Sequence, residues 1–386
     1  MRLLFLRTVA YGTTAATAAL LGGGVYASYQ VNVRRKRYYT DDFHMTPETL
    51  SMPFEGTQFT TSDGVVLRGW WIRQSRNGVP SKRAIVLCNP YNSDKSNLLG
   101  IARGLWDAGN SVFMFDNRSH ASTPTKQTVG HLEQLDARAA VDALALRICD
   151  RATGVPSMRI GFCGASMGGA MAIITAHSLP SPLRDAVCGV VSDCAFCDFD
   201  SELEYRIVHA FPAFPAFLVD TLMVVTRAFN KFWYGWNFAD VSPIAAVANR
   251  TATDVDIPLL IVHSDGDHVV PVSHAQRIFD AAKTPNKSLW IIPGCDHVGG
   301  YFQDSHTYNR RVVDFFEGDV RRQREALKKR AAPRVCYAAP PPANAADVAA
   351  PEPTSAPVAA APDAAPAGPA PAEAAAVAKS FNYISY

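Results

Sequence analysis

Ser166 stands at the centre of Gly164-Ala165-Ser166-Met167-Gly168, directly after a strand-like run from Ser157 to Phe162. A strand that turns at once into a helix needs a strained backbone at the apex. It also needs small residues two positions to either side, because strand and helix pass close together there. The apex side chain then projects outward at the N-terminus of the helix, a place suited to a nucleophile. By itself the G-x-S-x-G pattern also describes an ordinary glycine-rich turn, so its partners decide its meaning. A serine hydroxyl attacks only when a base takes its proton, and an imidazole does this well when a carboxylate fixes its tautomer. Both residue types occur further along, each behind an apolar run. Ser264-Asp265-Gly266-Asp267-His268 follows "LLIVH", and Cys295-Asp296-His297 follows "SLWIIPG". A serine, an acid and a histidine, in that order, make a set for acyl transfer.

Such residues must be held by a scaffold, and the apolar periodicity supplies one. "GTQFTTSDGVVLRGWWI" reads as two strands joined at Ser62-Asp63-Gly64. Ala84–Leu87, Val112–Phe115, Met158–Phe162, Val187–Val191, Leu259–His263 and Ser288–Ile292 are short, mainly apolar runs, suited to strands buried on both faces. Between them Leu98, Ile101 and Leu105 mark a helix ending at Gly109. Ala137, Val141, Leu144 and Ile148 mark a second, and residues around Val312 to Phe316 a closing one. Alternating strands and helices predict an α/β fold with a mostly parallel sheet covered on both faces. In such sheets ligands gather at the carboxyl ends of the strands, where Ser166 and the two later loops fall.

The stretches "PFEGTQFTTSDGVVLRGWWI", "FDNRSHASTP", "GHLEQLDARAAVDAL", "GFCGASMGGA", "HSDGDHVVP" and "GCDHVGGY" resemble the α/β-hydrolases over residues 53–318. The similarity is greatest to a subgroup with an N-terminal membrane segment, which includes serine peptidase-like proteins and esterases. The resemblance implies Ser166 as nucleophile, Asp267 as the orienting acid and His297 as the base, with no metal or organic cofactor. Asp267 occupies the acid position of a loop commonly reading H-G-x-x-D-x-x-V-P, here with Ser264 in place of the glycine. Asp265 is the lesser candidate, Asp193 the reserve acid, and Asp296 a surface residue. One departure stands out. The loop after "AIVLC" usually begins His-Gly, whereas this chain has Asn89-Pro90-Tyr91-Asn92. Proline supplies no N–H, so the expected oxyanion donors are the backbone N–H groups of Tyr91 and Met167.

Residues 194–240 read as a helical cap inserted in a hydrolase domain of residues 55–330, with a linker at 38–54. Ser201-Glu202-Leu203-Glu204 reads as a capping box, Leu218, Leu222, Val225 and Phe229 follow helical spacing, and Phe211, Phe214, Phe232, Trp233 and Trp236 add aromatic surface. A cap over the serine would form an apolar pocket for an acyl or aromatic group.

Both ends differ from this middle. Between Arg7 and Arg34 there is no charged residue, followed by Arg34-Arg35-Lys36-Arg37. Residues 1–37 are therefore expected to form a single-pass membrane anchor, in competition with a cleaved signal peptide, with the catalytic domain facing the cytoplasm. Residues 331–386, rich in alanine and proline, are expected to be a disordered tail, with Phe381 to Tyr386 available to a protein partner. A formal net charge of +2 excludes nucleic-acid binding as a global property. The eight cysteines include one C-x-x-C, Cys194 to Cys197, but no second pair with zinc-like spacing, and read as reduced thiols. The sequon Asn117-Arg118-Ser119 falls too near the active face to carry a sugar. The expected function is a serine hydrolase cleaving an ester, thioester or amide of a small acyl or peptide substrate. A serine peptidase is one alternative, and a catalytically idle membrane-tethered scaffold the other.

Overall fold

The computed structural model describes residues 2–33, 45–120, 126–249 and 255–331. The apolar runs become strands β1 Glu55–Thr60, β2 Val66–Ile72, β3 Arg83–Cys88, β4 Ser111–Phe115, β5 Arg159–Ala165, β6 Val187–Asp193, β7 Leu259–Ser264 and β8 Lys287–Ile292. They form one sheet in the order β1-β2-β4-β3-β5-β6-β7-β8. β1 and β2 are antiparallel to their neighbours, and from β4 to β8 all pairings are parallel. β3, β4, β5 and β6 are buried along nearly their whole length. That is why they lack the polar alternation of a half-exposed strand. β5 runs three residues beyond Phe162, because Gly164 and Ala165 still pair with Cys88 and Asp193 on its two sides.

The helices are α1 Arg2–Asn32, α2 Leu99–Asp107, α3 Glu133–Ile148, α4 Met167–Ser178, α5 Phe199–Ala210, α6 Ala216–Phe229, α7 Pro243–Ala248, α8 Ser273–Ala281, α9 Gly300–Gln303 and α10 Ser305–Ala331. Two apolar layers sandwich the sheet. On one face Val141, Leu144, Ile173 and Ile278 of α3, α4 and α8 pack together; on the other, Ile101, Leu105, Val312 and Phe316 of α2 and α10. The chain separates into two compact units at Val320 and Arg321. The second unit is described only as helix as far as Ala331. The expected disordered tail and its docking end lie outside the described residues, as does the basic cluster at 34–37.

In the cap region α5 begins at Phe199, earlier than the Ser201 box predicts. Its N-cap is Asp198, whose carboxylate accepts the N–H of Ser201 at 2.7 Å. An aspartate three residues upstream satisfies the same terminal donor, so the helix starts there. Phe211, Phe214, Phe232 and Trp233 are exposed, as expected, whereas Trp236 is buried and stacked on His131 at 4.8 Å.

The anchor expectation needs correction. Residues 2–32 are helical, yet no helix among the described residues is long and apolar enough to cross a membrane. The C-terminal half of α1 is built to meet the cap. A Cβ on Gly24 would lie 2.5 Å from Cγ1 of Val225, and one on Gly23 would lie 3.2 Å from Cδ1 of Leu222. Two of the three consecutive glycines thus let α1 approach α6 closely. Below them Ser28 Oγ and Asn32 Nδ2 donate to Oδ1 of Asn230 at 3.0 and 2.7 Å. The indole N–H of Trp236 donates to Oδ1 of Asn32 at 2.9 Å.

Candidate active site

Ser166 has φ 54° and ψ −125°, a conformation that L-residues rarely adopt and that costs about 1–3 kcal/mol. The strain is held from both sides. Its N–H donates to the carbonyl of Asp193 at the end of β6 (2.8 Å), and its own carbonyl accepts the first bond of α4, from Ala170 (3.2 Å). A Cβ on Gly164 would lie 2.3 Å from the Gly168 carbonyl oxygen, and one on Gly168 would lie 2.1 Å from that of Cys88. Both flanking positions therefore admit only glycine, and the apex side chain is the one that remains outside.

The loops after β7 and β8 bring two more side chains to this point. His297 Nε2 lies 2.9 Å from Ser166 Oγ, and His297 Nδ1 lies 2.7 Å from Oδ2 of Asp267. Asp267 is buried, and its Oδ1 accepts the N–H groups of Val269 and Val270 at 2.9 and 2.8 Å. Burial alone would raise its pKa. The hydrogen bonds from His263 and His297 outweigh that and hold the carboxyl well below the usual carboxylate range. Asp267 is thus an anion at neutral pH, and His297 carries its proton on Nδ1 with Nε2 turned to the serine.

The other acids have different partners. Asp265 Oδ1 accepts the N–H of Gly294 at 2.7 Å and so ties the acid loop to the base loop. Asp296 accepts the N–H of His297 itself, at 2.7 Å. Asp193 is buried beneath the apex, with Oδ2 accepting the Tyr308 hydroxyl at 2.9 Å. Burial pushes its pKa up against that bond. Neither Asp193 nor Asp265 forms a hydrogen bond to the imidazole of His297.

For the two expected backbone donors, Met167 is the first residue of α4, so its N–H has no acceptor within the helix. Tyr91 is half-buried. The segment leading to it abuts α4, since a Cβ on Gly168 would also meet the Asn89 carbonyl oxygen at 2.6 Å. The Asn89 side chain donates to the Phe115 carbonyl at 2.5 Å, which fastens this departing loop to β4. Asn117 is buried and donates to the Asn89 carbonyl at 3.4 Å, a position closed to a glycan.

Two residues without an assigned role in the sequence also meet here. Cys194, with φ 49°, is buried, and its Sγ accepts the N–H of Val298 (φ 56°) at 3.3 Å. This fixes the backbone just after His297. Donor atoms of Cys194, Asp267 and His297 lie within 4.8 Å of one another, which is metal-ligand spacing. Burial keeps this thiol protonated, well above the ordinary range, and the acid and imidazole are bonded to each other. The donor set is thus already committed within the protein. His263 lies below Asp267, and its position four residues ahead in His263-Ser264-Asp265-Gly266-Asp267 is the signal that could have found it.

Comparison with known proteins agrees with this architecture. A structure of the Pyrococcus furiosus esterase Pf2001 is 25% identical, with a TM-score of 0.52, covering 71% of this chain and 96% of that one. The fold is that of the α/β-hydrolases. The profile of the Prolyl oligopeptidase family, itself described as Peptidase_S9, matches residues 216–322 of this α/β-hydrolase chain. Uncharacterized protein YqkD of Bacillus subtilis is 26% identical, covering 78% of this chain and 94% of its own length. Uncharacterized protein YfhR of Escherichia coli K12 is 28% identical, covering 72% and 85%. The family match and the esterase neighbour together support hydrolase activity on this α/β-hydrolase scaffold.

Proposed function

We propose that the chain is a serine hydrolase that cleaves carboxylic esters through an acyl-enzyme on Ser166. The observation that carries this reading is the continuous hydrogen-bonded path from Ser166 Oγ through His297 to Asp267, at 2.9 and 2.7 Å. Oγ attacks the substrate carbonyl as its proton passes to Nε2 of His297, and the resulting imidazolium is stabilised by Asp267 through Nδ1. The tetrahedral oxyanion takes hydrogen bonds from the N–H groups of Met167 and Tyr91, the former at the positive end of α4. His297 then gives its proton to the leaving alkoxide, which departs as an alcohol. Water, deprotonated by the same ring, hydrolyses the acyl-enzyme and regenerates Ser166.

The likeness to the Pyrococcus esterase favours an ester over other acyl bonds. The match to the prolyl oligopeptidase family supports a second reading, peptide-bond cleavage, over the cap and the two catalytic loops. Labelling with a fluorophosphonate probe and turnover of short acyl esters against peptide anilides test the proposal. Ser166→Ala should abolish labelling and reduce turnover by on the order of 10⁴-fold or more, with an unchanged fold. Substantial residual activity would show that the nucleophile lies elsewhere. Faster turnover of anilides than of esters would select the peptidase reading.

A further inference from the structure

The mechanism above leaves a second histidine unused, directly against the acid. His263 is the fifth residue of β7 and is completely buried. Its Nε2 lies 2.9 Å from the carbonyl oxygen of Val270 and 3.3 Å from Oδ2 of Asp267. A carbonyl oxygen can only accept, so Nε2 carries the proton. Nδ1 is buried with no hydrogen-bond partner. A proton there would be a buried donor left unsatisfied, so the ring is neutral, with Nδ1 bare.

This tautomer has a consequence for Asp267. Oδ1 is fixed by the N–H groups of Val269 and Val270, while Oδ2 faces two rings, His297 from the base loop and His263 from the strand below. The same His263 N–H reaches the Val270 carbonyl, so it also closes the turn that carries the acid. We propose that His263 is a positioning residue, whose neutral Nε2–H holds Oδ2 of Asp267 in line with His297 and moderates the charge that His297 feels. The inference rests on the acyl-transfer reading for its kinetic consequence, but not for the hydrogen bond itself. Other ionisable groups around the pair are Asp193 at the end of β6, Cys194 after it, Glu202 on α5, His274 on α8 and Cys295 on the base loop. All remain in place when His263 alone is changed.

The test uses the full chain and two substitutions, His263→Leu and His263→Gln, with kcat and KM for a water-soluble short ester followed across pH. Leucine fills the space without a donor, whereas the glutamine amide can still donate toward Asp267. Without the His263 N–H, Asp267 presents more uncompensated charge and stabilises the imidazolium of His297. The acid limb of the kcat/KM profile should therefore move to higher pH in His263→Leu. Its plateau kcat should fall by about tenfold or more while KM stays put, as expected for a misaligned acid. His263→Gln should recover most of both. An unshifted limb in a folded His263→Leu protein, or equal impairment of both variants, would overturn the proposal. The wild-type protein, labelled with ¹⁵N-histidine, supplies a measurement independent of any variant. Nuclear magnetic resonance should find the His263 proton on Nε2, and a proton on Nδ1 would overturn the proposal. That measurement also separates failure of this inference from failure of Ser166 as nucleophile, which the probe experiment reads.

Discussion

Replacing Asp267 with asparagine changes one atom and should reverse the direction of a whole hydrogen-bonded path. The amide oxygen of Asp267→Asn must take the place of Oδ1, because the backbone N–H donors of Val269 and Val270 there cannot change. On the other side His297 can change its tautomer, and the His263 N–H keeps the Val270 carbonyl. The amide NH₂ then faces Nδ1 of His297, where an acceptor stood 2.7 Å away. It donates, Nδ1 loses its proton, and the proton moves to Nε2. That nitrogen, 2.9 Å from Ser166 Oγ, becomes a donor and can no longer receive the serine proton. A wrong tautomer with intact geometry typically lowers kcat by on the order of 10⁴-fold, about 5 kcal/mol of barrier. Asp265→Asn and Asp193→Asn are the controls. Each original carboxylate has an acceptor role that an amide oxygen can take over, toward Gly294 N–H and the Tyr308 hydroxyl respectively. Their losses should stay within about tenfold. Steady-state turnover of a short acyl ester reads the ranking, with thermal melts to confirm that each variant is folded. Asp267→Asn within tenfold of wild type, or weaker in effect than either control, would refute the argument.

Glu202 on α5 makes stability depend on pH. It is buried, its Oε1 is paired with Arg206 at 2.5 Å, and its Oε2 has no partner. Burial pushes its pKa from 4.5 up to about 7 against the Arg206 charge. A folded-state pKa raised in this way contributes stability that is present below 4.5 and lost as pH rises through about 7. Glu202→Gln should therefore become progressively more stable than wild type as pH increases across that window, by up to about 3 kcal/mol of unfolding free energy from denaturant titrations. A pH-independent difference between the two proteins would refute it. For α1, Gly24→Leu should force the helix off α6, lower the melting temperature and speed amide exchange in α1 and around Asn230. Gly22→Leu, where nothing lies within 4 Å of the added carbon, should do neither.

The strands could be read from the sequence because a parallel sheet covered on both faces needs uniformly apolar runs, and these stand out against their flanks. Ser166 and His297 were legible for a related reason, since the runs end where they begin. Selecting Asp267 over Asp265 needed the acid-loop resemblance, as both residues follow the same strand and only the folded turn shows which one faces His297. His263 stands only four residues ahead of Asp267, and escaped because its apolar strand, without polar alternation, reads as core alone. Cys194 escaped because its work depends on a partner distant in sequence. The Cys194 thiol accepts an N–H from Val298, over a hundred residues away, and within its own segment it is an ordinary buried cysteine. The helix start at α5 was misplaced because Asp198 and Ser201 both satisfy the local capping pattern, and the choice lies in the tertiary setting. Arg277 reaches both residues, holding the Asp198 carboxylate at 3.0 Å and the Ser201 hydroxyl at 2.9 Å.

The N-terminal helix shows how one local pattern serves two physical ends. A long uncharged stretch is what a bilayer demands, and also what a close helix–helix contact demands, since charges cannot be buried there without partners. Two details within the stretch separate the alternatives. Gly23 and Gly24 add little to a lipid-facing surface but allow α1 and α6 to approach within the space that a single Cβ would fill. Ser28 and Asn32 would be costly against hydrocarbon, yet here they are buried and bonded to Asn230, which in turn donates to the Trp236 carbonyl at 2.8 Å. Asn230 and Trp236 flank the turn that ends α6, so the first helix of the chain braces the cap, the element that carries Glu202 on α5. Polar residues placed four apart on the same face as the glycines thus mark this end of α1 as a docking surface for the cap.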